Sequence, residues 1–591
     1  YTKLVIGSSK DNLDMLTRGE YGGVGIRIGS LRDTLTVLST MKDGPAYKSS
    51  LKAGDQIIGI DETDAIGKTT KEASKLIKGK LGTVVTLHIR RLGFEEIQIF
   101  NLKRASINVN NIGYKQIDEN SIGYIKINKF SRNISKDFIK SLKELDQELF
   151  IDNNNNRKWD SEESYRDSND NEEYDLGERY VDKNKNGLRD DGEVFFDING
   201  NNQYDKFGRL KGLIIDLRGN TGGLLSESIK ILNTLLNRGE VLLHTKGRNG
   251  KVLKEFKSQT RPVLSNEVPI VVLVDKRSAS ASEIVSGVIQ DLDRGIVIGN
   301  TTFGKGLVQK IRHLNDTTSL KVTYSKYYIP SGRLIQKQDW LDNGVLTDGE
   351  DMKDSAFYTI KNNREVRGGG GVSPDIIVDL DKMSPYVNAL WKENLFLSFA
   401  TKYLSNQNNM DTFISRLTKA LNKYVPSTEK VLDCIFTPAL IDKYPLGIDG
   451  LMINEIEIID AKILKSFKNH IDDSDYSITY KLAGEEELAS FKKEIVDLDD
   501  SNYNLFLNLF TGSNPDKMVK KIENYYNKKK KNQFINKKNK SFLISGLERE
   551  FARFLFNEEV RVGVSLRNDK TYFEGIAILK DKELYNSILG Y

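Results

Sequence analysis

The sequence has 591 residues, which is enough for three or four domains of ordinary size. Its net charge of +5, with 29% charged residues, excludes a strongly basic protein whose whole surface binds nucleic acid. The single cysteine, Cys434, excludes an intramolecular disulfide framework and a multi-cysteine zinc site, and no apolar run approaches the roughly 18–20 residues of a membrane-spanning helix.

The first predicted domain covers residues 20–105. A glycine-rich turn at residues 21–26 precedes the run AGDQIIGI at 53–60, a helix-like run at 70–81 and a strand at 84–90. Together these motifs resemble a PDZ domain, although the glycine turn alone could be a plain hairpin. The resemblance implies that a peptide adds to the sheet edge as a strand, with its terminal carboxylate bound by backbone N–H groups. The implied carboxylate-binding residues are Gly22, Gly23, Val24, Gly25 and Ile26.

The next domain begins with residues 106–150, which contain a predicted strand at 121–127 and an amphipathic helix at 135–149. The same domain resumes at residue 209, just ahead of an apolar strand at 212–216. Between these two parts lies an acidic, asparagine-rich insertion, residues 151–208.

The insertion repeats one pattern of oxygen-bearing side chains every 15 residues, starting at residue 152. Each unit has Asp first, Asn two and four residues later and Asp eight residues later, and the first three units add Glu at the twelfth position. Because Ca²⁺ takes roughly six to eight oxygen ligands, this spacing predicts a calcium-binding segment. The predicted ligands are Asp152, Asn154, Asn156, Asp160, Glu163, Asp167, Asn169, Asn171, Asp175, Glu178, Asp182, Asn184, Asn186, Leu188, Asp190, Glu193, Asp197, Asn199, Asn201 and Asp205.

The third unit, residues 182–193, satisfies the whole EF-hand loop pattern, with Gly187 at the sharp turn and the carbonyl group of Leu188 as a ligand. The period is too short for a pair of helices around each loop, so the insertion is similar to the compact calcium loops of thrombospondin type 3 repeats. Aromatic residues in phase with the repeat, including Tyr180 and Phe195, are predicted to pack neighbouring units together. The alternative is a solvated, disordered linker.

The motif RSASASE at residues 277–283 follows an apolar strand at 268–274 and opens a helix-like run at 283–292. This order places the hydroxyl of Ser280 at a helix N-terminus, beside unpaired N–H groups that stabilise developing negative charge. Lys305 lies in a second glycine-flanked turn, TFGKG, after another apolar strand. A lysine activates a serine in its neutral form, which burial favours. On its own, the serine string could equally be helix-capping chemistry.

The chain has four histidines, and none lies in a motif of a Ser-His-Asp triad, so Ser280 and Lys305 are the predicted dyad. With DLRGNTGGL at 216–224, YYIPSGR at 327–333 and SPD at 373–375, the two turns resemble the C-terminal processing (tail-specific) serine proteases over roughly residues 1–380. The resemblance implies a ClpP/crotonase-like mixed α/β core and cleavage of proteins recognised through their C-termini. The implied roles are Ser280 as nucleophile, Lys305 as base, and Ala281 with Gly222 or Gly223 as the oxyanion hole. Gln309 is predicted to lie one helical turn beyond Lys305 and to orient its amine.

Several alternatives stay open at the level of sequence. Ser278 and Ser282 are chemical rivals of Ser280, and only the register of the family decides against them. Asp291 lies where some relatives carry an influential carboxylate, but it could equally be a solvated acid at a helix end. The whole chain could be a catalytically silent peptide-binding or calcium-dependent scaffold, which the presence of both dyad residues disfavours. A cytosolic, ring-forming hydrolase resembling the tricorn core is disfavoured by the PDZ domain and the calcium repeat.

The peptidase core is predicted to continue through residues 209–380, and the resemblance fades in residues 381–591. Amphipathic helices are predicted at 390–404, 411–423 and 547–555, and residues 560–590 are predicted to form a small mixed subdomain. Seven lysines between residues 528 and 540 form either a basic patch for phosphate or anionic lipid, or a plain exposed face.

The predicted fold class is an α/β multidomain protein: a lead-in segment (1–19), an α+β PDZ domain, a mixed α/β peptidase domain with inserted calcium loops, and a mainly helical C-terminal region. We expect structural Ca²⁺, no cofactor for the chemistry, substrates with free C-termini and no nucleic-acid partner. Because the sequence starts at Tyr1, we expect a signal peptide or anchor to precede it, with localisation in a bacterial cell envelope, periplasmic or exported. Membrane association and oligomerisation are left open.

Overall fold

The computed structural model describes residues 3–6, 20–31, 34–41, 44–108, 111–118, 120–147, 179–180, 195–196, 210–247, 250–315, 318–340, 346–348, 356–421, 459–473, 478–497, 515–555 and 558–591. In these ranges the chain forms a PDZ-like β-domain, a layered α/β domain and a helical C-terminal region, in the predicted order. None of the helices in these ranges is both long and apolar enough to span a bilayer.

The N-terminal domain is built on an antiparallel sheet. The chain begins with the strand β1 (Lys3–Ile6), which lies outside this domain. The elements of the domain are β2 (Glu20–Gly23), β3 (Ile26–Leu31), β4 (Thr34–Thr40), α1 (Pro45–Lys48), β5 (Gln56–Ile60), β6 (Thr63–Asp64), α2 (Thr70–Ile77), β7 (Val84–Arg90), β8 (Gln98–Lys103) and β9 (Ala105–Asn108). The sheet order is β3-β4-β5-β7-β8, so β3 is an edge strand, while β2 pairs with β9.

Helix α2 is shorter than the predicted run at 70–81, and both of its ends have a clear cause. At its start, Thr69 and Glu72 form a capping box. At its end, the guanidinium group of Arg104 donates to the carbonyl oxygens of Leu76 at 2.8 Å and Ile77 at 2.9 Å. Because these side-chain bonds take up the last free carbonyl groups, the helix ends at Ile77.

The α/β domain contains the next run of elements. These are β10 (Ile112–Ile117), β11 (Ile122–Ile127), α3 (Ile134–Gln147), β12 (Arg179–Tyr180), β13 (Phe195–Phe196), β14 (Gly212–Asp216), α4 (Leu225–Leu232), β15 (Val241–Lys246), β16 (Val252–Lys257), β17 (Ile270–Val274), α5 (Ala281–Asp291), β18 (Gly295–Gly299), β19 (Leu307–Asn315), β20 (Thr318–Tyr328), β21 (Gln338–Trp340), β22 (Leu346–Asp348), β23 (Ala356–Tyr358), β24 (Glu365–Arg367) and β25 (Ile376–Ile377).

The central sheet has the order β10-β11-β14-β17-β18-β25, and all neighbours except β10 and β11 are parallel. Every residue of β14, β17 and β18 is buried, as expected for parallel strands covered on both faces. Alternate residues of β17 face opposite layers: Val272 packs with helices α3, α4 and α5, whereas Val271 and Leu273 pack with C-terminal helices.

A second sheet, antiparallel throughout, extends from the same domain. The strand β20 pairs with β19 along one edge and with β1 and β15 along the other, and β16 completes the order β1-β20-β15-β16. The N-terminal strand therefore joins the α/β domain rather than the PDZ domain.

The C-terminal region is helical wherever the structure describes it. Its helices are α6 (Pro385–Lys392), α7 (Leu395–Leu404), α8 (Gln407–Leu421), α9 (Ala461–Asp472), α10 (Glu485–Asp497), α11 (Pro515–Lys531), α12 (Lys537–Leu555), α13 (Glu558–Leu566), α14 (Lys570–Lys580) and α15 (Lys582–Leu589). One group packs around the aromatic residues Phe396, Phe399, Phe467 and Phe551 as a separate core.

The last three helices form the second face layer of the central sheet. Leu566, Ile578 and Leu589 share a buried core with strand residues such as Ile214 and Val271. The prediction of a small mixed subdomain at 560–590 is therefore wrong, because this segment is helical and covers one face of the central sheet. The predicted helix at 390–404 is instead two helices, interrupted at Asn394, whose φ is 54°.

The insertion is described only at β12 and β13, which pair in antiparallel fashion and bring Tyr180 opposite Phe195. These are the in-phase aromatic residues of two successive units. All the predicted calcium ligands lie outside the described residues.

Candidate active site

Three loops meet at one edge of the central sheet because they follow three adjacent parallel strands. The loop after β14 carries residues 217–223, the turn after β17 carries Ser280, and the loop after β18 carries Lys305. The carboxyl ends of parallel strands share one edge, and this edge is where α/β sheets bind their ligands. Backbone bonds join the loops: Ala279 N donates to Asn220 O at 3.0 Å and Phe303 N to Ser278 O at 3.0 Å.

Ser280 is the N-cap of helix α5, as the sequence predicted. Its φ of 56° is unusual for a residue with a side chain and marks a strained turn. Ser280 is half-buried, whereas its two rivals are fully buried. The hydroxyl of Ser278 donates to Leu217 O at 2.8 Å, and that of Ser282 donates to Asn220 O at 2.9 Å. These bonds commit both rival hydroxyls to holding the loop after β14.

Glu283 joins the two turns through a single buried carboxylate. Its Oε2 atom accepts from Ser280 N at 2.7 Å and from Lys305 N at 2.8 Å. Its Oε1 atom accepts from Gly304 N and from the Thr302 hydroxyl, both at 2.6 Å. Burial raises the pKa of the Glu283 carboxyl, and the four hydrogen bonds oppose that shift. The four donors match the acceptor capacity of an ionised carboxylate.

Tyr327 holds the same two residues from their carbonyl sides. Its hydroxyl donates to Lys305 O at 2.7 Å and lies 3.2 Å from Ser280 O. Burial is the main reason that the pKa of Tyr327 lies well above its usual value, so its proton stays in place. The sequence motifs contained Glu283 and Tyr327 but gave no hint of these roles, since their partners lie in other segments.

The structure distinguishes the two glycines that sequence left open for the oxyanion hole. Gly222 N donates to Asn220 Oδ1 at 2.9 Å and is therefore already used. Phe130 N donates to Gly222 O, and Phe130 O accepts from Leu224 N, so Phe130 pairs with the chain on either side of Gly223. The N–H group of Gly223 itself therefore points away from Phe130. A side chain at Gly222 would lie 2.8 Å from Ser280 Cβ, which shows how closely this loop approaches the serine.

Two sequence-family models match parts of this chain. Residues 198–350 match the sequence model of Peptidase family S41, and residues 13–90 match that of the PDZ domain. Residues 198–350 are therefore similar to peptidase family S41, and the chain spans less than two thirds of the length of each of two curated relatives that it matches.

Two curated relatives give the extent of the similarity. A "Carboxy-terminal-processing protease" of Bartonella bacilliformis is 31% identical over 328 residues, covering 56% of this chain and 62% of the relative. "Carboxy-terminal processing protease CtpB" of Bacillus subtilis is 28% identical over 330 residues, covering 56% of this chain and 55% of the relative. Among solved structures, a "photosystem II D1 C-terminal processing protease" aligns at 21% identity over 64% of this chain and 78% of that chain, with a TM-score of 0.30.

Gln309 lies on the strand β19 of this S41 domain, not one helical turn beyond Lys305 as predicted. Its Nε2 atom donates to the Thr323 hydroxyl across the β19–β20 hairpin at 3.2 Å. The prediction of a turn was wrong because the chain becomes extended at Leu307. On the neighbouring strand, burial and then the charge of Lys305 lower the pKa of Lys321.

Asp291, at the end of α5, is not a solvated acid in this S41 domain. It is fully buried and forms an ion pair of 2.8 Å with Arg333, which is itself only 1% exposed. Ser331 N also donates to Asp291 at 2.9 Å. The residue therefore fastens helix α5 to the turn at 330–333.

In the PDZ domain, the glycine-rich turn lies beside the edge strand that would receive a peptide. Gly22 and Gly23 end β2, Val24 and Gly25 connect the strands, and Ile26 begins β3. Val24 and Gly25 also hold the neighbouring loop, because their carbonyl groups accept from Ala46 N and Met41 N. The open edge of β3 and the helix α2 are thus placed as a PDZ ligand site requires.

Proposed function

We propose that this protein is a serine endopeptidase of the C-terminal processing type, which cleaves proteins recognised through their C-termini. The single observation that carries the proposal is the Glu283 carboxylate, whose Oε2 atom holds the backbone N–H groups of both Ser280 and Lys305. Burying a carboxylate costs free energy, which the four donors offset. In return, this carboxylate fixes the spacing between the proposed nucleophile and its proposed base.

In the proposed mechanism, the Ser280 hydroxyl attacks the scissile carbonyl carbon while neutral Lys305 accepts the hydroxyl proton. The N–H groups of Ala281 and Gly223 hold the oxyanion, because Gly222 N already donates to Asn220. Lys305 then gives its proton to the leaving amine, and the peptide bond breaks to leave an acyl-enzyme. Water attacks the ester, with Lys305 again taking and returning the proton.

The PDZ domain supplies substrate selection in this proposal. A free C-terminus adds as a strand along the edge of β3, and the backbone N–H groups of residues 22–26 bind its carboxylate. All five residues at this turn are glycine, valine or isoleucine, so recognition of the carboxylate charge depends on the backbone rather than on a side chain.

We also propose that the insertion binds several structural Ca²⁺ ions. The pairing of Tyr180 with Phe195 supports repeated units that stack with one period between them. Metal analysis after gel filtration and calorimetry with millimolar Ca²⁺ test the proposal, with Asp182→Ala and Glu193→Ala together as the variant. Absence of binding heat, or equal proteolysis of residues 151–208 with and without EDTA, would leave a linker.

Because Ca²⁺ is abundant outside the cytoplasm, we propose a location in a bacterial cell envelope, periplasmic or exported. Fractionation of the native host, probed with an antibody against the folded chain, tests this location. Recovery with the cytoplasmic fraction alone would contradict it.

Cleavage of a fluorogenic peptide that ends in small apolar residues with a free carboxylate tests the catalytic proposal. Ser280→Ala and Lys305→Ala should each abolish turnover, and Lys305→Arg should also be inactive, because arginine stays charged at working pH. Ser286→Ala is the matched control: it removes a buried hydroxyl on the helix that follows Ser280, whose hydrogen bonds stay within that helix, and it should retain turnover. Appreciable turnover by Lys305→Ala would remove the proposed dyad.

A further inference from the structure

Arg218, in the loop that leads to Gly222 and Gly223, lies between two carboxylates from distant parts of the chain. Its Nε and Nη2 atoms donate to Asp216 at 3.0 and 2.7 Å. Its Nη1 atom donates to Asp569 at 2.8 Å, and Asp569 belongs to the C-terminal helices. Arg218 and Asp569 are only 16% and 17% exposed, so water screens this ion pair weakly.

The Asp216 end of this network is fixed by several other donors. Tyr124 donates its hydroxyl proton at 2.6 Å, and the Lys126 ammonium group lies 3.2 Å away. Burial alone would raise the pKa of Asp216, but the charges of Arg218 and Lys126 hold it well below its usual value. The carboxylate is therefore charged at every working pH and keeps Arg218 in place.

Helix α14 contacts the network a second time, next to Asp569. The Tyr572 ring packs edge-on against the Tyr124 ring at 5.5 Å, and its hydroxyl accepts from Gln116 Nε2 at 2.9 Å. The start of α14 is thus placed against two of the residues that bind Asp216, namely Tyr124 and Arg218.

The loop that follows Arg218 is the one that approaches the nucleophile. Two residues later, the Asn220 side chain accepts from Gly222 N, and its backbone carbonyl accepts from Ala279 N. A displacement of Arg218 would therefore move the glycines and the turn that precedes Ser280. A shift of about 1 Å at a catalytic group can cost roughly 100-fold in rate.

We propose that Asp569 is a positioning residue of the active site: it holds Arg218, and through it the loop at 217–223, in the arrangement that the chemistry requires. This inference rests on the proposed function and assigns the C-terminal helices to the catalytic unit. Residues 558–591 lie outside the segment that matches the S41 sequence model, which ends at residue 350.

A simpler role for Asp569 is to cap helix α14, since its Oδ1 atom accepts from Tyr572 N at 3.1 Å. The chain contains a matched control for this role. Asp581 caps helix α15 in the same way, accepting from Leu584 N at 2.9 Å, and its side chain is exposed. Asn caps helices about as well as Asp, so D569N and D581N both keep the cap and remove one charge.

The experiment compares wild type, D569N and D581N in the full chain by three measurements: peptide cleavage, thermal unfolding and hydrogen exchange by mass spectrometry. D569N should lower kcat by about tenfold with KM unchanged within about twofold. It should also speed exchange in peptides covering residues 217–224. D581N should match wild type in kcat and in that exchange, and both variants should unfold within a few degrees of wild type.

Equal kcat for D569N and wild type would overturn the inference. So would an equal loss of kcat in D581N, or a loss of kcat in D569N that is explained by a lower thermal midpoint of unfolding. The exchange measurement separates this inference from the proposed function. If wild type cleaves nothing, the proposed function fails, and the inference then stands only if D569N alone loosens residues 217–224.

Discussion

The backbone of Ser280 adopts a positive φ that costs about 1–3 kcal/mol for a residue with a side chain. The turn persists because Glu283 binds the N–H group of Ser280 while Tyr327 lies at its carbonyl oxygen. The same two side chains hold Lys305, so the strain of one turn is supported by groups that also fix the other. At the scale of single residues, this shared support is what makes the site rigid.

Replacing Glu283 by Gln tests whether the hydrogen bonds of the carboxylate, rather than the burial of the side chain alone, support the two turns. The amide presents N–H donors toward groups that are themselves donors, so at least two of the four bonds are lost. We expect kcat to fall by at least about 100-fold and stability to fall by about 1–3 kcal/mol. Steady-state kinetics and denaturant unfolding measure the two effects.

Ser286→Ala is the control for that variant, because Ser286 is buried on the same helix and donates only to carbonyl groups within the helix. It should lose some stability and keep its kcat. If Glu283→Gln and Ser286→Ala lost equal activity for equal loss of stability, Glu283 would be an ordinary buried residue.

The sequence predicted Ser280 and Lys305, because their glycine-flanked turns lie in recognisable local patterns. It did not predict the role of Glu283, since a Ser-x-x-Glu spacing is already explained by helix capping. The sequence also did not predict the buried ion pair of Asp291, because its partner Arg333 lies 42 residues later in the chain. Local motifs name the reacting groups, whereas the residues that hold them become visible only with the tertiary contacts.

Among the elements, the C-terminal helices α13, α14 and α15 have the clearest structural task, which is to cover one face of the catalytic sheet. Ile578 is 1% exposed in that layer. Ile578→Ala should cost about 2–5 kcal/mol through the lost burial and the cavity that remains. Denaturant unfolding followed by tryptophan fluorescence measures this cost.

Phe573→Ala is the matched variant on the same helix, because the Phe573 side chain is 51% exposed. Its stability should stay within about 0.5 kcal/mol of wild type. Equal costs for the two substitutions would mean that α14 does not rest on the sheet as described.

The edge strand β3 supports a prediction about ligand chemistry. A peptide with a free C-terminus should bind the Ser280→Ala protein more tightly than the same peptide with an amidated end, because amidation removes the charge that the N–H groups at residues 22–26 would hold. Fluorescence anisotropy of the two labelled peptides measures the difference. Equal dissociation constants would show that the glycine-rich turn is only a turn.

Much of the element order could be predicted, because buried parallel strands and amphipathic helices have strong local patterns. The strands β7 and β14 begin and end at the predicted residues. The break at Asn394 and the all-helical end of the chain were missed for different reasons. A single residue in the left-handed conformation, such as Asn394, has a weak sequence signal. The helices at residues 560–590 bury their apolar faces against the central sheet, and this contact is visible only in the tertiary structure.

For the whole molecule, the burial of a tyrosine between the C-terminal helices and the central sheet predicts how stability depends on pH. Tyr585 lies under the sheet, where its hydroxyl accepts from Ile270 N at 3.0 Å, and burial raises its pKa to about 12. The folded state therefore holds this proton more tightly than the unfolded chain, whose tyrosines ionise near pH 10. The contribution is fully present below about pH 10 and is lost as the pH rises to about 12.

Thermal midpoints measured between pH 9 and 12 should consequently fall, and Tyr585→Phe should make that fall shallower. The slope is the informative quantity, because the substitution also changes stability at neutral pH. An unchanged slope in Tyr585→Phe would show that this hydroxyl ionises equally in both states.

The central claim is that Ser280, which Glu283 holds together with Lys305, is the nucleophile of the proposed peptidase. The most direct test is to incubate the protein with a fluorophosphonate, which phosphonylates activated serines with loss of fluoride, and to map the modified residue by mass spectrometry. The account predicts a single adduct on Ser280 in wild type and none in Lys305→Ala or Glu283→Gln, with both variants folded. An adduct on Ser278 or Ser282, or undiminished labelling of Ser280 in Lys305→Ala, would contradict it.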